Sequence, residues 1–217
     1  MTHPIPKNFA PLHTGLRWAL VLATICLGGC ASPTNATDTS QTKAANKISA
    51  TETQSDIYNY LAYSQAFASA GQPTEQQLLS SAEAGVERVI YLAFSDQERS
   101  LPAEDRVVKK LGMSYLQVPV DWRAPQPREY YLFAAAMQIE PERKTLLHCQ
   151  ANLRASAFAF LYRVLELGVP LREAKADMNQ IWVPNGVWTQ FILQVLKEND
   201  VDPSCNGCDW TPSTIGD

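Results

Sequence analysis

The chain has 217 residues and a formal net charge of −4 at pH 7, which suits one ordinary domain with additional segments. No stripe of basic residues stands out, so the composition argues against a nucleic-acid partner. The five cysteines and three histidines are few enough to be considered one by one.

The first thirty residues have the pattern of an export signal. Lys7 and Arg17 supply positive charge, and residues 18–27 (WALVLATICL) form an apolar run that is too short to span a bilayer comfortably. The run leads into LGGC, which ends at Cys30 and resembles the lipobox of bacterial lipoproteins. The resemblance implies cleavage just before Cys30 and a lipid on its sulfur, whereas the alternative is a plain cleaved signal with an incidental cysteine.

The residues after the cysteine favour a tethered periplasmic protein. The residue after the cysteine is Ala31 and not an Asp. By analogy with such lipoproteins, this favours location at the outer membrane of a Gram-negative bacterium over retention at the inner membrane. The following segment is rich in Ser, Thr, Ala, Asn and Gln, so it cannot bury enough surface to offset its ordering entropy. We therefore expect a signal peptide over 1–29, a flexible tether over 30–55, a folded domain over 56–200 and a tail over 201–217.

Cleavage would also change the charge. Residues 1–29 contain two of the 18 basic residues and none of the 22 acidic ones, so the mature chain would have a net charge of −6. His3 and His13 would leave with the signal, and His148 would be the only histidine of the domain. This excludes a His-rich metal site, and we expect neither a metal nor a cofactor.

From Pro73 onward, helical and strand patterns alternate. Thr74 and Gln77 have capping-box spacing, and glycines follow several of the helical segments. Helices are predicted over 74–84, 102–111, 127–138, 154–167, 171–182 and 187–198, and strands over 86–94, 114–120 and 145–148. Alternation of this kind predicts an α/β fold, with a mainly parallel central sheet flanked by helices on both faces.

The stretch LLHCQANLRAS, residues 146–156, combines a strand end, a cysteine and a helix start. Ligands of such sheets bind beyond the carboxyl ends of the strands, and helix N-termini attract anions. A thiolate at Cys149 is a nucleophile, and Arg154 offers a planar fork to two oxygens of a tetrahedral anion. These residue types suit covalent phosphoryl transfer through a cysteinyl-phosphate.

The stretch resembles the catalytic loop of the protein tyrosine phosphatase superfamily. Together with SAGQPTEQQLLSSAEAGVERVIYL and LGMSYLQVPVDW, it resembles bacterial dual-specificity-like phosphatases, including the beta-lactamase hydrolase-like phosphatase family, over about residues 65–170. The resemblance implies a cysteine-phosphatase fold and a phosphorylated small molecule or protein as substrate. It also implies that His148 and Ser156 support the loop. The residues implied to bind the phosphate are those of the loop itself: Gln150, Ala151, Asn152, Leu153 and Arg154.

The loop departs from the family pattern in length. Four residues separate Cys149 from Arg154, where the family has five, and Asn152 stands where a Gly is common. Ala155 occupies the position directly after the arginine, where the family usually has a hydroxyl residue, and Ser156 is one position later. A four-residue spacing also resembles rhodanese sulfurtransferases, so sulfur transfer is the alternative chemistry, and a catalytically weak anion-binding module is a third hypothesis. His148 and the upstream VPVD favour the phosphatase.

Ester cleavage needs a proton for the leaving oxygen, usually from a carboxylic acid. Asp121 follows a predicted strand, 28 residues before Cys149, and is the expected general acid. Asp96, after the preceding strand, is the second candidate. Trp122 is expected either to wall the pocket or to belong to the core.

The tail contains a second cysteine motif. Cys205 and Cys208 form a CxxC, but no helix follows to lower a thiol pKa and no second ligand pair accompanies it. We therefore expect a small disulfide or a pair of thiols there rather than a redox or zinc site.

Overall fold

The computed structural model describes residues 52–206 and 208–210. The predicted signal peptide, the lipidation site Cys30 and nearly all of the predicted tether lie outside these residues. The description therefore begins at the start of the folded domain.

The domain contains five strands and six α-helices, preceded by a short 3-10 turn at Gln54–Asp56. The strands are β1 (Leu61–Ala62), β2 (Phe67–Ala70), β3 (Arg88–Tyr91), β4 (Ser114–Gln117) and β5 (Thr145–His148). The helices are α1 (Glu75–Glu83), α2 (Glu104–Lys110), α3 (Pro127–Ile139), α4 (Leu153–Leu165), α5 (Leu171–Ile181) and α6 (Gly186–Glu198).

The strands form one sheet in the order β1-β2-β5-β3-β4. Only β1 runs antiparallel to its neighbour, and the other three pairings are parallel. His148 at the end of β5 lies opposite Ala70 on one side and Tyr91 on the other. The carboxyl ends of four strands therefore meet at one edge, where parallel sheets bind their ligands.

Helices pack on both faces of the sheet. Leu78 of α1 and Val108 of α2 belong to one buried cluster, while α3, α4 and α6 contribute Phe133, Phe158 and Phe191 to the other. Helix α4 is buried along most of its length, as its apolar sequence requires. The predicted fold class, an α/β protein with a mainly parallel sheet covered on both faces, is confirmed.

Local signals account for several helix ends. The Thr74 hydroxyl accepts a hydrogen bond from the Gln77 backbone N–H at 3.1 Å, and the Gln77 side chain accepts one from the Thr74 N–H at 3.0 Å. This reciprocal capping box satisfies two otherwise free donors at the start of α1. Pro127 occupies the first turn of α3, where its missing N–H costs nothing.

The sheet is wider than the sequence patterns predicted. Strands β1 and β2 were not predicted, because Phe67–Ala70 reads FASA and lacks the β-branched residues that mark a strand. It becomes a strand by pairing with β1 and β5 on its two sides. Strands β3 and β4 are also shorter than the predicted ranges of 86–94 and 114–120.

Within residues 52–206 and 208–210, none of the helices combines the length and the apolar character needed to cross a membrane.

Candidate active site

Cys149 lies directly after β5 at the carboxyl edge of the sheet. It is 1% exposed, and it is the free cysteine of the described residues. Its N–H donates to the Ala70 carbonyl at 3.3 Å, which extends the pairing of β5 with β2. Helix α4 begins four residues later, at Leu153. The sulfur therefore lies between a strand end and a helix N-terminus, where the helix dipole favours negative charge.

The backbone of the loop turns at Asn152. Its φ of 68° lies in the left-handed region, which Asn tolerates better than most non-glycine residues. The Asn152 side-chain amide donates to the Asn59 carbonyl at 2.6 Å, and the Asn59 side-chain amide donates to the Ala151 carbonyl at 3.0 Å. These two reciprocal hydrogen bonds fix the loop to the segment before β1.

Gly71 allows the chain after β2 to approach the loop closely. It forms a bridge with Ala151, and a side-chain Cβ at this position would lie 2.9 Å from the Tyr58 carbonyl oxygen and 3.3 Å from that of Gln150. The next residue, Gln72, donates its N–H to the Gln150 carbonyl at 3.3 Å. Any larger residue would therefore force the Tyr58 backbone or its own segment to shift, and would press on the loop at Gln150.

The Gln150 side chain is held by the segment between β3 and α2. Its amide nitrogen donates to the Tyr91 hydroxyl at 2.7 Å and to the Ser100 hydroxyl at 3.1 Å. Its amide oxygen accepts a hydrogen bond from the Arg99 N–H at 3.1 Å. With these contacts, the loop is anchored on both of its sides.

Arg154 occupies the first turn of α4 and is only 5% exposed. Its guanidinium carbon lies 5.5 Å from the centroid of the Trp122 ring, within cation–π range. The buried Nε has no hydrogen-bond partner among the described residues. A buried cation with an unused donor is the arrangement expected where an anion is to bind.

Three tryptophans support this arginine. The Trp122 ring lies 5.5 Å from that of Trp182 and 5.2 Å from that of Trp188. The Trp188 indole donates to the Trp122 carbonyl at 3.0 Å, and the Trp182 indole donates to the Ser156 hydroxyl at 3.2 Å. Trp122 itself is 37% exposed, so it lies at the boundary between core and surface. The Ser156 hydroxyl therefore binds both Trp182 and its own helix, since it also donates to the Leu153 carbonyl.

The two candidate acids lie in different loops at this edge. Asp121 is exposed, and its carboxylate accepts a hydrogen bond from the Arg123 N–H at 2.9 Å. It immediately precedes Trp122, which contacts Arg154. Asp96 is also exposed, in the segment between β3 and α2. Of the two acids, Asp121 is therefore the one next in sequence to a residue that contacts Arg154.

His148 is fully buried and has an acidic neighbour. Its Nε2 lies 3.3 Å from Oε1 of Glu104, the first residue of α2, which is 4% exposed. Burial lowers the pKa of His148 to about 3, although a hydrogen bond to the Cys149 backbone opposes this. Burial also raises the pKa of Glu104 to about 7, against hydrogen bonds from Gln72 and Tyr115.

Several residues of the site were not predicted from the sequence. They lie far from Cys149 in the chain and approach its loop, directly or through an intervening residue, only in the fold. They are Asn59, Gly71, Gln72, Tyr91 and Glu104. A glycine followed by a proline two residues later was the only visible signal of a special turn.

The CxxC of the tail is a disulfide between Cys205 and Cys208. Nearby, Trp210 packs against Phe160 of α4, and the Lys175 amine lies 4.9 Å from the centroid of the Trp210 ring. The tail is therefore attached to the domain through an aromatic contact as well.

Comparisons with known proteins identify solved structures of similar fold. No family model matches the chain, and no curated protein matches it either. Among solved structures, the chain is 31% identical to a "putative phosphatase (DUF442)" from Shewanella putrefaciens CN-32. The match has a TM-score of 0.62 and covers 67% of this chain and 96% of that one.

Two further structures have the same fold. A mutant form of Tk-PTP is 25% identical, with a TM-score of 0.52 and coverage of 65% of this chain and 93% of that one. The core catalytic domain of PP-IP phosphatase SIW14 from S. cerevisiae is 16% identical, with a TM-score of 0.51 and coverage of 66% and 94%. With its Cys149–Arg154 loop at the carboxyl edge of this sheet, the chain belongs to the DUF442 family and has the fold of the protein tyrosine phosphatase-like enzymes.

Proposed function

We propose that this protein is a cysteine-dependent phosphatase that hydrolyses phosphate monoesters through a cysteinyl-phosphate intermediate. The observation that carries the proposal is the buried Arg154, with an unused Nε donor, at the N-terminus of the helix that follows Cys149. A cation and a helix N-terminus that face the same place form a site for a dianionic phosphate.

In this mechanism, the phosphate lies against the backbone of residues 150–153 and the guanidinium of Arg154. The Cys149 thiolate attacks phosphorus, and the bond from phosphorus to the ester oxygen breaks. The leaving oxygen takes a proton from Asp121. Water then attacks phosphorus of the cysteinyl-phosphate and gives a proton to Asp121. The bond from sulfur to phosphorus breaks, so that inorganic phosphate leaves and the thiolate is restored.

Asp121 remains the preferred acid because of its position in the chain. It follows the β4 segment, and its neighbour Trp122 contacts Arg154. Asp96 lies in the segment that holds Gln150 through Arg99, so it is the second candidate. Both side chains are exposed and can therefore exchange protons with solvent between turnovers.

The four-residue spacing between Cys149 and Arg154 keeps sulfur transfer as a second candidate function. Similarity to proteins described as phosphatases favours phosphoryl transfer. The deciding experiment measures hydrolysis of an aryl phosphate beside sulfur transfer from thiosulfate to cyanide. Cys149→Ser should abolish hydrolysis and Arg154→Ala should reduce it severely, because the nucleophile and the anion clamp act as one unit. Sulfur transfer without hydrolysis would overturn the phosphatase proposal.

We further propose that the enzyme acts in the periplasm and is attached to the outer membrane by a lipid on Cys30. The support is the apolar run over 18–27 that leads into LGGC. Cys30→Ala should leave the protein unlipidated and remove it from the membrane fraction. A wild-type protein without a diacylglyceryl group on Cys30 in mass spectra would rule the anchor out.

A further inference from the structure

The mechanism above does not use the buried carboxyl of Glu104. This side chain is 4% exposed, and its Oε1 lies 3.3 Å from His148 Nε2. The Gln72 side-chain amide donates to the same oxygen at 2.9 Å. Glu104 has no lysine or arginine partner among the described residues, and a buried carboxyl without one is costly unless it holds a proton.

Glu104 contacts two residues that are each connected to the catalytic loop. His148 immediately precedes the nucleophile, and its ring stacks on Tyr91 with 4.6 Å between the centroids. Gln72 donates its backbone N–H to the carbonyl of Gln150. Glu104 is therefore connected to the loop in two ways. One connection is through His148, which precedes Cys149, and the other is through Gln72, which binds the carbonyl of Gln150.

The facing atoms of Glu104 and His148 are Oε1 and Nε2. With a protonated Glu104 and a neutral His148 ring the pair has no net charge, and loss of the carboxyl proton leaves one negative charge. The burial that raises the pKa of Glu104 to about 7 brings this change near neutral pH.

The other ionisable groups around the pair do not compensate for this charge. Tyr91 of β3 and Tyr115 of β4 both have pKa values raised by burial, so they remain neutral hydroxyls. Asp105, next in α2, is exposed to solvent. Cys149 follows His148 directly, and the test replaces its thiol with the hydroxyl of Ser.

We propose that Glu104 is a positioning residue of the catalytic loop, which it holds through His148 and Gln72, and that the loss of its proton weakens anion binding at Arg154. The proposal rests on the proposed function, since it concerns the same anion site. A negative charge behind the loop opposes the charge of the bound anion.

Sulfate binding tests this without turnover. Sulfate keeps its charge between pH 5.5 and 8.5, and Cys149→Ser removes the thiol. Calorimetry should show that Cys149→Ser binds sulfate about fivefold more weakly at pH 8 than at pH 6, as expected for one added charge nearby. The double variant with Cys149→Ser and Glu104→Gln should bind sulfate with an affinity that is nearly independent of pH. Adding Asp105→Asn, the matched control on the same helix, should preserve the dependence.

A second variant keeps the test decisive if Glu104→Gln does not fold. The hydrogen bond from Gln72 lowers the pKa of Glu104, so Gln72→Met should move the midpoint of the sulfate-binding transition to higher pH. An unchanged midpoint, or no transition near neutral pH in Cys149→Ser, would overturn the role of Glu104 while leaving the phosphatase proposal intact. No sulfate binding at any pH would overturn the anion site, and with it both proposals.

Discussion

The guanidinium of Arg154 lies over the ring of Trp122, with 5.5 Å between the guanidinium carbon and the ring centroid. Trp122 is held in turn by Trp182 and Trp188, near the end of α5 and in α6. The cation at the start of α4 is therefore oriented by the loop after β4 and by helices that follow it in the chain. The same loop contains Asp121, so the aromatic support and the proposed acid are adjacent residues.

Replacing Trp122 with Leu should weaken phosphate binding. The side chain of Arg154 loses the aromatic face that orients it, and cation–π contacts contribute about 0.5–2 kcal/mol. Initial-rate kinetics with an aryl phosphate should show KM raised about threefold to tenfold, with a smaller change in kcat. Tyr131→Leu, an exposed aromatic residue of α3 that hydrogen bonds to Glu198, is the control and should leave KM unchanged. Equal effects of the two substitutions would contradict this role.

The left-handed turn at Asn152 leads to a prediction about stability. Asn152→Ala loses the hydrogen bond to Asn59 and puts a Cβ-bearing residue with no local hydrogen bond at a φ of 68°. Together these effects should cost about 2–3 kcal/mol in the free energy of unfolding. Asn152→Gly loses the hydrogen bond but tolerates the φ, so it should cost less. Urea unfolding measures both, and a larger loss for Gly than for Ala would show that the turn is not strained.

The opposite pKa shifts of Glu104 and His148 predict opposite dependences of stability on pH. The folded Glu104 keeps its proton up to about pH 7, whereas in the unfolded chain it loses the proton near pH 4.5, so its contribution declines as pH rises through this window. The folded His148 stays neutral down to about pH 3, whereas the unfolded histidine gains a proton below about pH 6.5, so its contribution is lost as pH falls.

The two contributions can be separated by substitution. Relative to the wild type, Glu104→Gln should gain stability as pH rises from 4.5 to 7, by up to about 1.4 kcal/mol per pH unit. His148→Gln should instead gain stability relative to the wild type as pH falls below 6.5. Urea unfolding of the three proteins at several pH values provides both difference curves. Two curves that slope in the same direction would contradict the assignment.

The proposed nucleophile and anion clamp, Cys149 and Arg154, could be put forward from the sequence because they belong to one continuous segment. A strand, a cysteine, a short loop and an apolar helix beginning near Arg154 follow each other directly, and their order implies their arrangement in space. Strands β3, β4 and β5 and all six helices were likewise visible in the residue pattern. Their ends were less certain, since strand β3 is four residues long within the nine residues, 86–94, predicted as a strand.

The supporting residues could not be predicted, because their roles depend on tertiary contacts. Glu104 belongs to a short charged helix, EDRVVKK, whose acidic start resembles an exposed helix N-terminus. It is buried only because α2 packs where His148 ends β5. Strand β2 was missed for a related reason, since FASA becomes a strand through pairing with β5 rather than through its own propensity.

The proposed general acid leads to a prediction about leaving groups. If Asp121 protonates the departing oxygen, its loss should matter most when that oxygen is a poor leaving group. A tyrosyl oxygen needs the proton, whereas a nitrophenolate needs it much less. General acid catalysis contributes about 10²–10⁴ in rate, so Asp121→Asn should lose that factor with phosphotyrosine and clearly less with nitrophenyl phosphate.

The pH profile and a matched variant complete this test. In Asp121→Asn the decline in rate at high pH should flatten, because a protonated carboxyl is no longer required. Asp96→Asn is the control, since Asp96 is also an exposed aspartate in a loop at this edge of the sheet, and it should retain the wild-type preference between the two substrates. A small, equal loss with both substrates in Asp121→Asn, together with a selective loss in Asp96→Asn, would transfer the role of general acid to Asp96. The proton would then come from the segment that holds Gln150 rather than from the loop that supports Arg154.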